Sequence, residues 1–249
     1  MSRSGPPRPP PPEILLVDDH IVAVDKPAGV KSVAGRGKHP NLPALLRDRS
    51  LGAVRIVHRL DQDASGVIIY ARTLAAQQNL AAQFAERRVE KIYLALASGY
   101  VEQDGAINLR LLIDRREGRV VVSRRGKPSL THYRILERVA GNTWLECKPV
   151  TGRLHQIRAH LAAIGHPLAI DPRYGGAAEL MLSRFKSGYR ASARHEERPL
   201  CNRLTLHAAM LRLTHPASGE PLVIEAPLPK DLRATLNQLR RVAIPKRRA

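Results

Sequence analysis

Apolar residues in this sequence occur in short runs of strand length, separated by turn residues, and this pattern constrains the fold more than any other feature. Residues 14–17 and 21–24 are two such runs, and Asp18-Asp19-His20 between them has the composition of a hairpin turn. Residues 66–71 form another run. None approaches the roughly 20 apolar residues that a membrane-spanning helix needs. The sequence therefore predicts a sheet-containing globular domain and excludes a helical membrane protein.

Further strands are predicted along the rest of the chain. Residues 91–97 alternate between apolar and polar side chains, as a half-buried strand does. Gly141-Asn142 has the composition of a hairpin turn. The other strand candidates are short apolar stretches at residues 54–60, at several places within 107–150, at 204–213 and at 222–224.

Two segments have helical patterns and lie between predicted strands. Thr73 is a suitable N-cap for a helix that runs to about Arg88. Thr151-Gly152 opens a second helix, in which apolar residues recur at spacings of three and four up to Gly165. The chain therefore combines helices with many short strands, and we expect an α+β domain.

Three segments differ in composition from the rest. Residues 1–12 are rich in Pro and Arg, which predicts a disordered leader. Residues 175–199 are polar and rich in Arg and Gly, and are expected to form an excursion or mobile loop. Residues 231–249 are predicted to be a basic C-terminal tail that begins as a helix and ends as a disordered arm. One domain is therefore expected over residues 13–230.

The charge of the chain indicates an anionic partner. Its 41 Lys and Arg residues outnumber 22 Asp and Glu residues, which gives a formal charge of +19. Nucleic acid is the first candidate and an acidic membrane surface the second. Aromatic residues are only 4% of the chain, so binding by phosphate contacts and shape is favoured over base stacking. A compositional preference for surface Arg is the alternative explanation of the excess.

Two features bear on where the protein works. Cys147 and Cys201 are too few for a framework of several disulfides. No apolar segment follows the N-terminal charges as it does in a secretory signal. A reducing cytoplasm is therefore the expected location.

One polar segment is a candidate for chemistry. His58-Arg59-Leu60-Asp61-Gln62-Asp63-Ala64-Ser65-Gly66 places a carboxylate directly after a predicted strand, where a rigid scaffold can present loop side chains. Asp61 is the candidate catalytic residue of this segment. Asp after a strand is also ordinary turn chemistry, so the segment alone does not identify an activity.

This segment resembles the active-site motif of the RluA-type family of RNA pseudouridine synthases. Where the family usually has Thr, this chain has Ala64, which removes one hydroxyl from the loop. Only the catalytic domain is expected, without the N-terminal S4-like module that the family often carries. Other segments resemble further motifs of the family, and with the first they span residues 14 to about 228: Asp18-Asp19-His20, Lys26-Pro27-Ala28-Gly29, Lys91-Ile92-Tyr93, Thr151-Gly152-Arg153-Leu154-His155-Gln156-Ile157-Arg158-Ala159-His160, Leu206-His207-Ala208 and Thr214-His215-Pro216.

The resemblance implies a fold and an activity. The fold is a mixed, mostly antiparallel bent sheet flanked by helices, with Asp61 at the floor of a central basic cleft. The activity is isomerisation of uridine to pseudouridine in structured RNA, with stem-loops of 23S ribosomal RNA or of tRNA as targets. In that reaction the N1 glycosidic bond breaks, the uracil turns, and C5 is joined to C1′. No metal or organic cofactor is expected.

Three catalytic residues are expected from the resemblance. Asp61 acts either as a nucleophile or as a base that takes a sugar proton, and the sequence does not decide between the two. Arg158 lies one turn after Leu154 in the predicted helix and is expected to face inward and keep the Asp61 carboxylate ionised. Tyr93 offers a ring face for the uracil and a hydroxyl that can orient or deprotonate it.

RNA contacts are expected from basic residues near these motifs. The target uridine must be flipped out, and Arg59 either fills the gap that it leaves or contacts a phosphate. Lys38 either contacts phosphate or is a solvated loop charge. The full set of expected RNA-binding or base-flipping residues is Arg59, His58, Arg36, Lys38, Arg153 and His155.

Two other classes of function remain open. A non-catalytic RNA-binding or ribosome-assembly factor with the same fold would not need Asp61. A nucleoside or glycoside hydrolase would use Asp61 and Asp63 as a pair. No metal site is expected, because His155 and His160 do not share a helical face and the two cysteines lack metal-site spacing. RNA is the expected partner, neither DNA nor membrane is expected, and we expect a monomer.

Overall fold

The computed structural model describes residues 11–34, 41–49, 51–190 and 196–243. Two short 3-10 turns lie at Pro172–Tyr174 and Leu182–Arg184. In chain order the strands and helices are β1 (Glu13–Val17), β2 (Ile21–Lys26), α1 (Leu42–Asp48), β3 (Arg55–Ile56), β4 (Ser65–Ala71), α2 (Leu74–Ala85), β5 (Glu90–Ser98), β6 (Gly105–Asn108), β7 (Leu111–Asp114), β8 (Arg119–Val122), β9 (Leu130–Val139), β10 (Asn142–Pro149), α3 (Gln156–Ala163), β11 (Leu206–Thr214), β12 (Pro221–Glu225) and α4 (Lys230–Ala243).

The chain divides into two compact units, each built from two separate stretches of sequence. The first consists of Met1–Lys91 and Ala208–Pro227, and the second of Ile92–His207 and Leu228–Ala249. Antiparallel strands dominate both units. The predicted α+β class with a mostly antiparallel sheet is confirmed.

In the first unit the strand order is β1-β2-β4-β11, with β3 beside β4 and β12 beside β11. Strands β2 and β4 consist almost entirely of buried residues, and α2 packs against β4. These two strands therefore form the middle of the unit. Lys26 at the end of β2 pairs with Gly66 near the start of β4, which brings the end of β2 close to the loop that contains Asp61.

In the second unit the strand order is β5-β10-β9-β6, and β7 with β8 forms a separate two-stranded hairpin. Apolar residues of β5 and β10, including Leu96 and Trp144, pack with one face of α4. Leu232, Leu236 and Leu239 provide that face. The predicted basic tail begins as a helix, as expected, and this helix packs into the core of the unit. The predicted disordered arm at residues 244–249 lies outside the described residues.

Two local predictions from the sequence are confirmed. The Asp18 carboxylate accepts hydrogen bonds from the backbone amides of His20 at 2.7 Å and Ile21 at 2.8 Å, which closes the turn between β1 and β2. The Thr73 hydroxyl accepts the backbone amide of Ala76 at 3.1 Å and caps α2.

The strand predicted over residues 54–60 is much shorter in the structure. Only Arg55–Ile56 pairs with β4, opposite Ala71 and Tyr70. The next amide of β4, that of Ile69, donates instead to the imidazole Nε2 of His58 at 3.1 Å. A side chain takes the position of the backbone acceptor, and the strand ends there.

The helix predicted to open at Thr151-Gly152 begins later, at Gln156. His155 precedes it with a φ of 49°, in the left-handed region. The side chain of Gln156 turns back, and its Oε1 accepts the Thr151 hydroxyl at 2.7 Å and the Arg153 amide at 3.0 Å. These bonds hold residues 151–155 in a compact turn instead of a first helical turn.

The predicted excursion at residues 175–199 contains ordered features. Leu180 is buried and exchanges backbone hydrogen bonds with Leu200 and Cys201 at 2.7 and 2.9 Å. Of the predicted leader, residues 1–10 lie outside the described residues. None of the helices in the described part of the chain has the length and apolar content needed to cross a lipid bilayer.

Candidate active site

Asp61 lies in a loop before β4, and the residue on its N-terminal side is anchored. The Ser32 hydroxyl donates to the carbonyl of Leu60 at 2.9 Å and accepts the amide of Leu60 at 3.0 Å. Ser32 is itself held, since its carbonyl accepts the buried Tyr70 hydroxyl at 2.6 Å. The backbone that enters Asp61 is therefore fixed to the interior of the first unit.

Lys26 anchors the residue on the C-terminal side of Asp61. Its side chain is fully buried, and the ammonium donates to the carbonyls of Pro27, Val30 and Gln62 at 2.9, 2.9 and 2.7 Å. The amide of Gly29 also donates to the Gln62 carbonyl, at 2.9 Å. Three carbonyls match the three N–H bonds of an ammonium group. Asp61 thus stands between two clamped peptide units.

The interior of this loop contains small side chains. The Ala64 amide approaches the carbonyl of Asp61 at 3.3 Å, and Ala64 is buried. Gly66 has a φ of 115°, and a Cβ there would lie 2.1 Å from the carbonyl oxygen of Ala208. Only glycine fits this position, because the backbone of Ala208 leaves no space for a side chain.

His58 and Arg59 have different surroundings. The His58 ring stacks on Phe84 with ring centroids 4.6 Å apart. Burial and, secondarily, the charge of Lys91 lower the pKa of His58 to about 3, so the imidazole is neutral. Arg59 is exposed. His58 thus has a packing role within the first unit, and RNA contact by His58 and by Arg59 stays a prediction.

Lys91 and Tyr93 lie on β5. Burial, with a smaller effect of the nearby Arg87 charge, lowers the pKa of Lys91 to about 8. Tyr93 is partly buried and stands opposite Cys147 of β10. Its predicted contact with uracil remains a prediction.

Arg158 is buried in α3, as expected from its place beside the apolar stripe. Its Nε and Nη2 donate to the two carboxylate oxygens of Asp171 at 2.7 and 2.8 Å. The guanidinium carbon also lies 4.9 Å from the centroid of the Tyr174 ring. The sequence analysis did not identify Asp171 or Tyr174.

The other sequence-predicted RNA-binding residues divide into two groups. His155 precedes α3, with its Nδ1 3.0 Å from the Tyr174 hydroxyl, and Arg153 precedes His155 in the same turn. The Nε of Arg153 is buried with no hydrogen-bond partner in the described structure. Arg36 and Lys38 lie outside the described residues.

The three predicted catalytic residues belong to different units. Asp61 is part of the first unit, and Tyr93 and Arg158 are part of the second. No cluster of three or more His, Cys, Asp or Glu side chains suited to hold a metal ion occurs among the residues that the structure describes.

The roles of Lys26 and Ser32 beside Asp61 were not predicted from the sequence. Both are polar residues that are buried and form hydrogen bonds to backbone groups, and a hydropathy pattern does not predict such bonds. Lys26 is the last residue of β2 and precedes Pro27-Ala28-Gly29, and the only sequence signal for it is the resemblance of this segment to a family motif.

Comparisons with known proteins give relatives over most of the chain. Residues 20–163 match the model of a family described as RNA pseudouridylate synthase. Over 237 residues the chain is 42% identical to a ribosomal large subunit pseudouridine synthase D of Nitrosomonas europaea, a match that covers 92% of this chain and 65% of that protein. It is 40% identical over 234 residues to a ribosomal large subunit pseudouridine synthase C of Escherichia coli O6:H1, with 91% and 70% covered. The chain therefore spans about two thirds of the length of these relatives.

Solved structures give the same result. The chain superposes on human RNA pseudouridylate synthase domain containing 1 with a TM-score of 0.71 and 30% identity, over 93% of this chain and 90% of that one. Human RNA pseudouridylate synthase domain containing 4, at 23% identity and a TM-score of 0.66, shares the fold.

Proposed function

The chain belongs to the RluA-type family of RNA pseudouridine synthases, and on that premise we propose that it isomerises uridine to pseudouridine in ribosomal RNA. The names of its relatives specify the large ribosomal subunit, and this supports ribosomal RNA as the substrate class. Stem-loops of tRNA are the second substrate candidate. The observation that carries the activity is the double clamp on either side of Asp61, made by Ser32 at Leu60 and by Lys26 at Gln62.

A clamp of this kind suits a reaction that has to reposition a base without losing it. The N1–C1′ bond breaks, the uracil turns, C5 bonds to C1′, the proton on C5 is released and N1 gains a proton. Asp61 either attacks the sugar and is later displaced, or takes and returns a sugar proton. Both routes need a carboxylate whose position does not change while the base turns, because misplacement by about 1 Å slows such steps on the order of a hundredfold.

Arg158 and Tyr93 have supporting roles in this proposal. Arg158 keeps the Asp61 carboxylate ionised, a role supported by the resemblance of residues 151–160 to the family motif and by the burial of the guanidinium. Tyr93 holds the uracil through its ring face and hydroxyl, a role supported by the resemblance of Lys91-Ile92-Tyr93. Arg59 is the proposed residue that fills the gap of the extruded nucleotide or contacts a phosphate, and its exposure suits both roles.

The charge of the molecule supports RNA as the partner. A formal charge of +19 favours a polyphosphate chain, and base flipping places the target outside its helix or loop during the reaction. We propose a monomer that works on RNA and not on DNA. Cys147 and Cys201 are both buried free thiols, which suits the reducing cytoplasm as the place of work.

The test is a reaction with ribosomal RNA that carries tritium at C5 of its uridines. We expect release of tritium to water with no free uracil and no cut in the RNA, because among the candidate activities only isomerisation at C5 gives that combination. Free base or strand cleavage would identify the hydrolase alternative. Binding of RNA with no tritium release would identify the non-catalytic RNA-binding alternative. Chemical sequencing for pseudouridine in the product then locates the modified uridine.

A further inference from the structure

Arg158 is held by the carboxylate of Asp171, which the proposed reaction does not use. Asp171 lies directly before the 3-10 turn Pro172–Tyr174, and its side chain is fully buried, at 0% exposure against 8% for Arg158. The two carboxylate oxygens meet Nε and Nη2 at 2.7 and 2.8 Å. Such a two-point contact fixes the plane of the guanidinium as well as its position.

The contact with Asp171 determines which edge of the Arg158 guanidinium is left for another two-point contact. A guanidinium has two forked edges, and Asp171 occupies the one formed by Nε and Nη2. Another acceptor that makes a two-point contact must therefore be met through the edge formed by Nη1 and Nη2. Asp171 in this way sets the direction in which Arg158 presents its remaining donors.

Tyr174 supports the guanidinium from one face. The guanidinium carbon lies 4.9 Å from the ring centroid, within the range of a cation–π contact. The hydroxyl of Tyr174 accepts the amide of Val120 in β8 at 2.8 Å and lies 3.0 Å from Nδ1 of His155. The ring is thus held at its far end by two polar contacts, on the side opposite to its own backbone.

The backbone that carries Asp171 is equally fixed. Its carbonyl accepts the amides of Tyr174 and Gly176 at 3.0 and 2.9 Å. A Cβ on Gly176 would lie 2.1 Å from the carbonyl oxygen of Leu168, so this turn is packed closely. The backbone of Asp171 is therefore held in place by this turn.

A buried ion pair is weak evidence for stability, because desolvation of both charges opposes their attraction. The two-point geometry of the pair fits a role in orientation. We propose that Asp171 is a positioning residue that sets the orientation of Arg158, with Tyr174 as the support beneath it. This inference rests on the proposed function, in which Arg158 serves the reacting carboxylate.

The test compares Asp171→Asn with a matched ion pair elsewhere in the same unit. Arg203 donates through Nε and Nη2 to Asp231 at 2.6 and 2.9 Å, so Asp231→Asn removes the same kind of bond without touching Arg158. With tritiated ribosomal RNA, Asp171→Asn is expected to lower kcat on the order of a hundredfold at an unchanged KM. Asp231→Asn is expected to keep both values.

A double variant tests whether Asp171 acts through Arg158. Arg158→Gln with Asp171→Asn is expected to be no slower than Arg158→Gln alone, since Asp171 then has nothing to orient. Effects on kcat that multiply, or a wild-type kcat in Asp171→Asn, would overturn the proposal. Asp171→Glu is the second variant if Asp171→Asn does not fold. It keeps the charge but moves the carboxylate by one methylene, so kcat is expected to fall as well. A wild-type kcat in Asp171→Glu would overturn the proposal.

A spectroscopic measurement that does not depend on enzymatic activity tests this inference separately from the proposed function. The Nε–H signal of Arg158 in ¹H–¹⁵N spectra, assigned by its loss in Arg158→Gln, is expected to be protected from solvent exchange in the wild-type protein and in Asp231→Asn. It is expected to lose that protection in Asp171→Asn, and retained protection there would contradict the inference. A wild-type protein that releases no tritium would contradict the proposed function, and the spectra would still decide the orientation of Arg158.

Discussion

At the scale of single residues, the candidate carboxylate Asp61 could be predicted from the sequence, whereas the role of Lys26 could not. Asp61 follows an apolar segment in a polar loop and belongs to a recognisable motif, so it could be predicted as the candidate carboxylate. Lys26 is a charged residue whose burial at 0% exposure depends on carbonyls that come from Pro27, Val30 and Gln62. Lys26 and Gln62 are 36 residues apart in the sequence, so a local sequence pattern does not predict their hydrogen bond.

Replacement of Lys26 tests the clamp. Lys26→Met keeps much of the side-chain volume and removes the ammonium donor from the Pro27 and Val30 carbonyls, whereas the Gln62 carbonyl keeps the Gly29 amide. An unsatisfied buried polar group costs about 1–3 kcal/mol. The free energy of unfolding, from urea titration, should fall by at least about 2 kcal/mol. Lys127→Met, at an exposed position, is the matched control and should be close to wild type. Equal stability of the two variants would contradict the clamp.

The neutral His58 predicts a pH effect on stability. Its pKa is about 3 in the folded protein and 6.5 in the unfolded chain, so between these values the unfolded chain binds a proton that the folded protein does not. Stability therefore falls as the pH falls through this range, by up to about 1.4 kcal/mol per pH unit. His58→Gln should show a shallower fall in unfolding free energy. Burial also lowers the pKa of His160, whose contribution is present in both proteins and cancels. Parallel curves would show that His58 is charged in the folded state.

At the scale of elements, predictions succeeded where the signal was local. The turn at Asp18 and the cap at Thr73 use side chains that bond to amides two or three residues away, and both were predicted correctly. The predicted strand over residues 54–60 was too long, because His58 bonds to Ile69, a distant partner. The start of α3 was placed too early, since Thr151 donates to Gln156 and also accepts the distant Leu130 amide.

The close approach of β4 and β11 gives a prediction at this scale. Gly66 and Gly118 both have positive φ values, but a Cβ at Gly66 would meet the Ala208 backbone at 2.1 Å, and one at Gly118 would meet nothing within 4 Å. Gly66→Ala should destabilise the fold by more than about 4 kcal/mol. Gly118→Ala should cost only the backbone strain, about 1–2 kcal/mol. Thermal unfolding of both variants checks this, and similar losses would contradict the close contact.

At the scale of the whole molecule, the class of fold could be predicted but its division could not. Alternating short strands and two helical patterns indicated an α+β protein, and the family resemblance supplied the sheet type. Each compact unit combines two distant stretches, such as Met1–Lys91 with Ala208–Pro227, and composition does not change at those boundaries. The packing of α4 into the second unit depends on contacts with Leu96 and Trp144. These contacts could not be predicted, because the segment is basic and its composition is typical of an exposed tail.

The charge of the whole chain predicts a strong effect of salt on RNA binding. Several Lys and Arg side chains that neutralise phosphates release condensed counterions, so affinity should fall at least about tenfold between roughly 50 and 200 mM salt. Filter binding or fluorescence anisotropy with a ribosomal RNA fragment measures this. An affinity that does not change over that range would show that the excess of Arg and Lys is compositional and does not serve RNA binding.

The role of Asp61 as the catalytic carboxylate is tested most directly by the single-turnover rate of tritium release, compared between Asp61→Asn and Asp63→Asn. Both variants remove one carboxylate from the same loop. Asp61→Asn is expected to lose at least about a hundredfold in rate and to retain its RNA affinity. Asp63→Asn is expected to stay near the wild-type rate. A wild-type rate in Asp61→Asn, or an equal loss in both variants, would contradict the assignment of Asp61 as the catalytic carboxylate.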